Sequence, residues 1–367
     1  MKRKIFLIPL ALLLAISLVL VGCTSDTAEP TEPTEPTEPT EPTEPTEPTE
    51  PAEPVVLKYG VGEPPTHPWS EAALVMMDKI TEETDGLVTF DTYFAATLIN
   101  PRECFAEIAA GVADITALPI GLAPSGVLEV ERALMGAYYG VSDLTEIRDM
   151  SAEVMAKFPE LESGWAEFGK VIAVATILPF QLHLTDSITT FEDLGGRTIR
   201  AWSDVAPVFA ELGAEALNMP SADVFTALQK KTLDGATASW EQLKTYNWAE
   251  VAQYHIPLDM ATGGYGLVVI MNWDTWNSLS PEIQQVFEDN FDDWSEENDN
   301  WVSLSDEAGY EFAESLGNTF LDLPAEEIQG FYDLLDANFR ASMAALDAKG
   351  YNATAIYEEI RRVVEER

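Results

Sequence analysis

Apolar and polar positions alternate from Val55 to Val61, and Pro64-Pro65 closes the run, which is the period of a half-buried strand. The period then changes. Ala73, Leu74, Met77 and Ile80 recur at helical spacing behind Ser70, so the pattern predicts a helix over residues 70–83 with Ser70 as its N-cap. "GLVTFDTYF" reads as a second strand, "PRECFAEIAAGVAD" as a helix ending at Gly111, and "ITALPI" as a short buried strand. This β-α-β-α-β order predicts a mixed α/β lobe with a largely parallel sheet.

A second alternation begins at "KVIAVATILPFQLHLT" and continues through "RTIRAW" and a helix over "VAPVFAELGA". The next helix, "SADVFTALQKKTLDG", takes Ser221 as N-cap and places Gly235 beyond its end. "GYGLVVIMN" is an apolar strand, and the chain from Ser280-Pro281 onward reads as nearly all helical. Its 367 residues exceed what one core usually fills, so two lobes are expected.

The first residues do not belong to this pattern. Lys2, Arg3 and Lys4 precede a long apolar run that ends in Leu20-Val21-Gly22-Cys23, the form of a bacterial lipoprotein leader cleaved before a lipidated cysteine. Residues 1–22 are therefore read as a signal peptide, Cys23 as the lipid anchor, and the mature chain as lying on the outer face of the cytoplasmic membrane. Seven copies of Thr-Glu-Pro then run from Thr31 to Pro51. Proline at every third position forbids helix and favours polyproline II, so residues 23–54 read as a lipidated stalk that holds the body up to about 90 Å from the membrane.

Composition narrows the partners. Asp and Glu number 63 against 20 Lys and Arg, a formal charge of −43, which makes nucleic acid and anionic lipid surfaces poor partners. With Cys23 acylated, Cys104 is the remaining cysteine, expected as a buried, inert thiol in its helix. The three histidines, His67, His183 and His255, stand far apart without a ligand-spaced companion, so no metal site is expected. Phosphate-cradle, dinucleotide and hydrolase-elbow motifs are absent, and no residue asks for catalysis or a cofactor. The positive signal is aromatic: Phe180, Trp202 and Trp240 stand at strand ends, where they either pack the core or line the crevice of an α/β sheet.

The run from Asp193 to His255 carries a more specific pattern: Asp193-Leu194, Gly196 and Ile199-Arg200, then Met219-Pro220, Asp223-Val224-Phe225, Ala227-Leu228-Gln229, Leu233-Asp234-Gly235, and Glu250-Val251 with Tyr254. It resembles the DctP-type solute-binding proteins of tripartite ATP-independent periplasmic (TRAP) transporters. "PPTHPWSEAA", "TDGLVTFDTYF" and "GVADI" resemble the same family's opening, so the likeness runs from about residue 56 to near the C-terminus. The resemblance implies a two-lobed α/β periplasmic-binding-protein-like fold with a ligand cleft between lobes and a helical C-terminal part. Lobe I would be residues 55–177 with about 262–306, and lobe II residues 178–261 with about 307–367.

It implies also that Arg200, at the end of its strand, pairs with a ligand carboxylate, to which a guanidinium offers two parallel donors. Arg197 falls on the other side of the strand, at the surface. The family's further arginine upstream is replaced here by Phe180, which removes a second ion pair. Together with Trp202 and Trp240 this implies a small carboxylate with an apolar or aromatic body, whose keto or hydroxy group would meet Gln181, His183, Thr237 or Ser239. Other departures are Phe94-Ala95-Ala96 in place of Pro-Gly-Gly, and Leu98-Ile99 in place of Leu-Gly. Glu241 is open to two roles, a ligand or cation contact and a plain helix-start carboxylate. His67 either lines the cleft or ties its own loop, and Tyr93 either closes on the ligand or packs. The implied function is capture of the carboxylate by cleft closure and delivery to membrane permease subunits, without chemistry. The alternative is a surface lipoprotein that senses or scaffolds.

Overall fold

The computed structural model describes residues 53–124, 126–202, 205–260 and 265–367; the leader, Cys23 and nearly all of the stalk lie outside the described residues. Among the described residues eleven strands form two sheets. They are β1 (Val55–Gly60), β2 (Val88–Tyr93), β3 (Ile115–Pro119), β4 (Lys170–Thr176), β5 (Phe180–Leu184), β6 (Thr198–Arg200), β7 (Glu215–Leu217), β8 (Gly235–Ala238), β9 (Tyr254–Met260), β10 (Tyr265–Met271) and β11 (Thr319–Phe320). The first sheet has the order β2-β1-β3-β10-β4, with β1 parallel to β2 and β3 and with β10 antiparallel to β3 and β4. The second has the order β11-β9-β5-β8-β6-β7. "KVIAVATILPFQLHLT" is thus split, its first half in one sheet and its second in the other, and the break falls at Ile177-Leu178-Pro179, where proline can neither donate to a ladder nor let its neighbour stay helical.

Among the described residues thirteen α-helices accompany the sheets: α1 (Pro68–Glu83), α2 (Cys104–Ala109), α3 (Glu129–Leu134), α4 (Leu144–Lys157), α5 (Glu160–Ser163), α6 (Ala206–Glu211), α7 (Ser221–Gln229), α8 (Glu241–Thr245), α9 (Trp273–Ser278), α10 (Pro281–Asp289), α11 (Phe291–Ser315), α12 (Ala325–Asp347) and α13 (Ala353–Glu365). Two predicted caps shift. Helix α1 starts at Pro68, whose fixed φ suits the first helical position, and the cap is His67, whose Nδ1 accepts from the Trp69 N–H. Pro220 precedes α7, so Ser221 is already helical; the helix stops at Gln229, and Gly235 opens β8 rather than closing the helix. Ser280 does cap α10 through its side chain.

The 25-residue α11 joins the lobes. It packs on α1 and β4 of the first and on α8 of the second. Its approach to α8 depends on Gly309, where a Cβ would stand 2.1 Å from the Trp240 carbonyl oxygen. The last two helices also reach across, α12 against α3 and α6, α13 against α4 and α12.

One loop keeps a shape that its sequence disfavours. Ala95 and Ala96 adopt φ of 53° and 59°, the left-handed region that glycine enters without strain. The Ala95 N–H donates to the Glu63 carbonyl at 2.7 Å and the Ala96 N–H to Val61 at 3.2 Å, so this pair fixes the turn that follows β1. Ile99 is fully buried, filling the space over Gly60.

Candidate functional site

Parallel strands β6 and β8 end side by side in the second sheet, with Arg200 in register with Ala236. Arg200 is 3% exposed. Its Nε donates to the Met219 carbonyl at 3.2 Å and its Nη1 to the Thr237 carbonyl at 2.7 Å, which fixes the plane of the guanidinium. Trp202 and Trp248 flank it, with ring centroids 5.6 and 5.9 Å from Cζ. No carboxylate among the described residues pairs with it, and Nη2 holds no partner there. Burial lowers its pKa to about 10, a large shift for an arginine, opposed by Tyr246. Burying a cation that no carboxylate pairs costs several kcal/mol and favours any anion that reaches it.

Aromatic rings wall the approach. Phe180 meets Trp202 edge to face at 5.2 Å. Trp202 in turn lies on Gly121 of the first lobe, where a Cβ would stand 2.1 Å from the indole. Two further contacts cross between the lobes: His67 faces Tyr246 with ring centroids 6.4 Å apart, and Arg102 approaches Asp223 at 3.6 Å on the exposed rim. Arg200, Trp202, Phe180 and, from the first lobe, His67 are therefore brought to one place. Burial lowers the His67 pKa to about 3, so its ring is neutral.

Several expected contacts sit elsewhere. Trp240 does not flank Arg200; its ring packs among Tyr310, Phe320, His183 and His255 at 5.2 to 5.9 Å, inside the second lobe. The indole beside the guanidinium is that of Trp248. His183 is wholly buried, with Nδ1 3.1 Å from Nδ1 of His255 and Nε2 3.1 Å from the Ala238 carbonyl. Burial and the neighbouring His255 hold its pKa well below the ordinary value, so it is neutral. A carbonyl only accepts, so His183 Nε2 carries its proton and, with both rings neutral, His255 Nδ1 donates to His183 Nδ1; His255 Nε2 then accepts, which requires the Asn318 amide, whose Oδ1 stands 3.0 Å away, to turn its NH2 toward the ring. Neither ring nitrogen of His183 is free for a ligand.

Gln181 is also occupied. Its Oε1 accepts from the Leu258 and Asp259 N–H groups at 2.6 and 3.1 Å, and its Nε2 donates to Pro179 O at 3.2 Å and Asp259 Oδ1 at 3.0 Å. The side chain thereby fills a bulge in β9, where the pairing jumps from Met260↔Phe180 to Ile256↔Leu182 and Asp259 takes a φ of 36°. Thr237 gives its carbonyl to Arg200, while its hydroxyl is buried without a partner. Tyr93 ends β2, half-buried. Arg197 turns away and donates to the carbonyls of Asp186, Ser187 and Asp193. Cys104 is buried, and that burial pushes its thiol up to about 12. Among the described residues no group of three or more His, Cys, Asp or Glu is disposed to hold a metal ion.

Besides Trp248, two groups absent from the sequence expectation join the site. Tyr246, the C-cap of α8 five residues on from Glu241, is raised by burial and by the charges of Glu63 and Glu241, and lowered by Arg200, which places its hydroxyl in the field of all three. Glu63, in the turn fixed by Ala95, is pushed up to about 7 by its enclosure. Glu241 is 5% exposed; Ser239 Oγ at 3.4 Å and Gln242 Nε2 donate to its Oε1, and burial lifts it to about 7.

The Glu241 shift has a stability consequence. Its folded pKa of about 7 lies above the ordinary 4.5, so its ionisation in the folded state costs nothing below pH 4.5 and the full amount above pH 7. Glu241→Gln is expected to match the parent near pH 4 and to exceed it by on the order of 3 kcal/mol at pH 8, read by urea unfolding at both values. The buried histidines work in the opposite sense, destabilising below their ordinary 6.5, but they are common to both proteins and cancel in the difference. A difference independent of pH would show a hydrated Glu241 carboxylate.

The profile of DctP, bacterial extracellular solute-binding protein family 7, matches residues 59–345. Uncharacterized protein YiiZ of Salmonella typhimurium strain LT2 is 27% identical over 232 residues, 61% of this chain and 68% of that one. Among solved structures, a TRAP solute-binding protein from Rhodoferax ferrireducens T118, in complex with copurified benzoate, superposes with a TM-score of 0.74 at 23% identity, covering 85% of this chain and 98% of the other. A marine metagenome TRAP solute-binding protein specific for aromatic acid ligands, with 3-hydroxybenzoate, gives 0.76 at 20% identity over 86% and 99%. One from Sulfitobacter sp. NAS-14.1, with bound β-D-galacturonate, gives 0.72 at 15% over 84% and 100%. At these identities the superpositions establish the fold.

Proposed function

We propose, from the premise that the chain belongs to the DctP family of bacterial extracellular solute-binding proteins, family 7, that it captures a small organic carboxylate between its lobes and passes it to membrane permease subunits. Proteins of this family are transport components and catalyse nothing. The observation that carries the reading is Arg200, buried, fixed by two backbone carbonyls and lacking a carboxylate partner among the described residues. A ligand carboxylate on Nη2 would replace an unpaired buried cation by a charge-assisted pair. The proteins of like fold that hold benzoate, 3-hydroxybenzoate and galacturonate are consistent with carboxylate cargo. Phe180, Trp202, Tyr246 and Trp248 around the guanidinium favour a cargo with an apolar or aromatic body.

The same reading assigns residues 55–177 with about 262–306 to lobe I and residues 178–261 with about 307–367 to lobe II, the strands dividing between the sheets at those places. Residues 1–22 act as signal peptide, Cys23 carries the lipid and residues 23–54 form the stalk, which puts the site outside the cytoplasmic membrane within reach of a permease. A thermal-shift screen of the body against monocarboxylates, dicarboxylates and sulfonates tests the capture step. A carboxylate at a hundred times its Kd is expected to stabilise the fold by about 2.7 kcal/mol. Stabilisation by sulfonates alone, or by nothing in the screen, would remove the reading.

A further inference from the structure

The charges around the cleft do not balance on a plain carboxylate. Arg200 supplies one positive charge, whereas Glu63 stands on the first lobe and Glu241 on the second, with Asp306 of α11 behind it accepting the Glu241 N–H at 3.0 Å. Asp306, like both glutamates, is pushed up to about 7 by burial, and the charge of Glu63 adds to the shift at Glu241. Glu241 Oε1 is used, but Oε2 is buried and has no partner. The His67–Tyr246 ring contact brings the first lobe's loop, which carries Glu63, against α8, which carries Glu241.

A monoanionic ligand on Arg200 would add a negative charge in the field of carboxyls whose charges already act on one another, Glu63 and Asp306 half-buried and Glu241 buried. Each carboxylate left there must either stay charged in low dielectric or take up a proton. A positively charged nitrogen on the ligand removes both penalties, since an ammonium brings three N–H donors and the Glu241 Oε2 is a buried acceptor without a donor.

We infer that the cargo is an amino-bearing carboxylate, zwitterionic at neutral pH, with its carboxylate on Arg200 and its ammonium held by Glu241 and Glu63. This rests on the reading of Arg200 given above. Calorimetric titration of the folded body at neutral pH tests it with two matched sets: phenylalanine, phenyllactate and phenylpropanoate, and the aminomethyl, hydroxymethyl and methyl forms of benzoate. In at least one set the amino member should bind tighter than both partners by at least about tenfold. Glu241→Gln, and independently Glu63→Gln, should remove that preference, with circular dichroism confirming the fold of each variant. Arg200-dependent binding without an amino preference in either set would overturn the inference and leave the carboxylate reading standing. Binding of every member that is indifferent to Arg200→Ala would overturn both.

Discussion

Arg200→Ala is expected to weaken carboxylate binding by about 2 to 5 kcal/mol, roughly thirtyfold to several thousandfold. Among the described residues the guanidinium is the one buried cation at the ends of β6 and β8, and none beside it there can replace two parallel donors. The same change should alter the stability of the free protein much less, because two opposing effects meet there. Losing an unpaired buried charge is favourable, while the carbonyls of Met219 and Thr237 lose their donors at about 1 to 3 kcal/mol each. Should the alanine variant fold poorly, Arg200→Lys separates charge from geometry: it keeps the cation but not the fork, and intermediate affinity is the expected result. Calorimetric titration of the three proteins with one carboxylate checks both. Unchanged affinity in a folded Arg200→Ala protein would remove Arg200 from the site.

The second large effect concerns closure. Gly121 of the first lobe lies flat under Trp202 of the second, leaving no room for a Cβ. Gly121→Leu should therefore prop the lobes apart while leaving each lobe's own core untouched. Overpacking of this kind costs about 1 to 3 kcal/mol, and here the cost falls on the closed state, so apparent affinity should drop roughly fivefold to a hundredfold or more. Small-angle scattering with saturating ligand should show the variant more extended than the parent, with thermal unfolding of the free proteins nearly equal. Equal scattering profiles in the liganded state would mean that Trp202 moves aside and that this contact does not limit closure.

How much of this could be read from the chain depends on the range over which each feature is determined. The strands and helices predicted between Val55 and Ile120 follow from local periodicity and appear close to where the pattern puts them, apart from a cap shift that a proline decides, whereas α3, α4 and α5 were not read from the sequence. Arg200 was legible because a strand end and its flanking motif determine its place. Trp240 was not, because a residue just past a strand end can turn to either side, and only the packing of α11 against α8 through Gly309 sends this indole inward. His183 and Gln181 share a face of β5, yet what that face meets is set by β9, some 70 residues later in the chain, which supplies His255 and the bulge. Tyr246, Trp248 and Glu63 stand in turns and short helices with no periodic signal, and only the meeting of the lobes collects them. Ala95 and Ala96 show the opposite case, in which residues unsuited to a left-handed turn adopt it because the surrounding hydrogen bonds specify it.

The central claim is that the buried, unpaired guanidinium of Arg200 receives the ligand's carboxylate. The measurement that tests it most directly is a crystal structure of the body with the carboxylate that stabilises it most. The account predicts the ligand between the lobes, with carboxylate oxygens at about 2.7 to 2.9 Å from the Arg200 guanidinium. A ligand bound elsewhere, or one that turns its carboxylate away from Arg200, would contradict it.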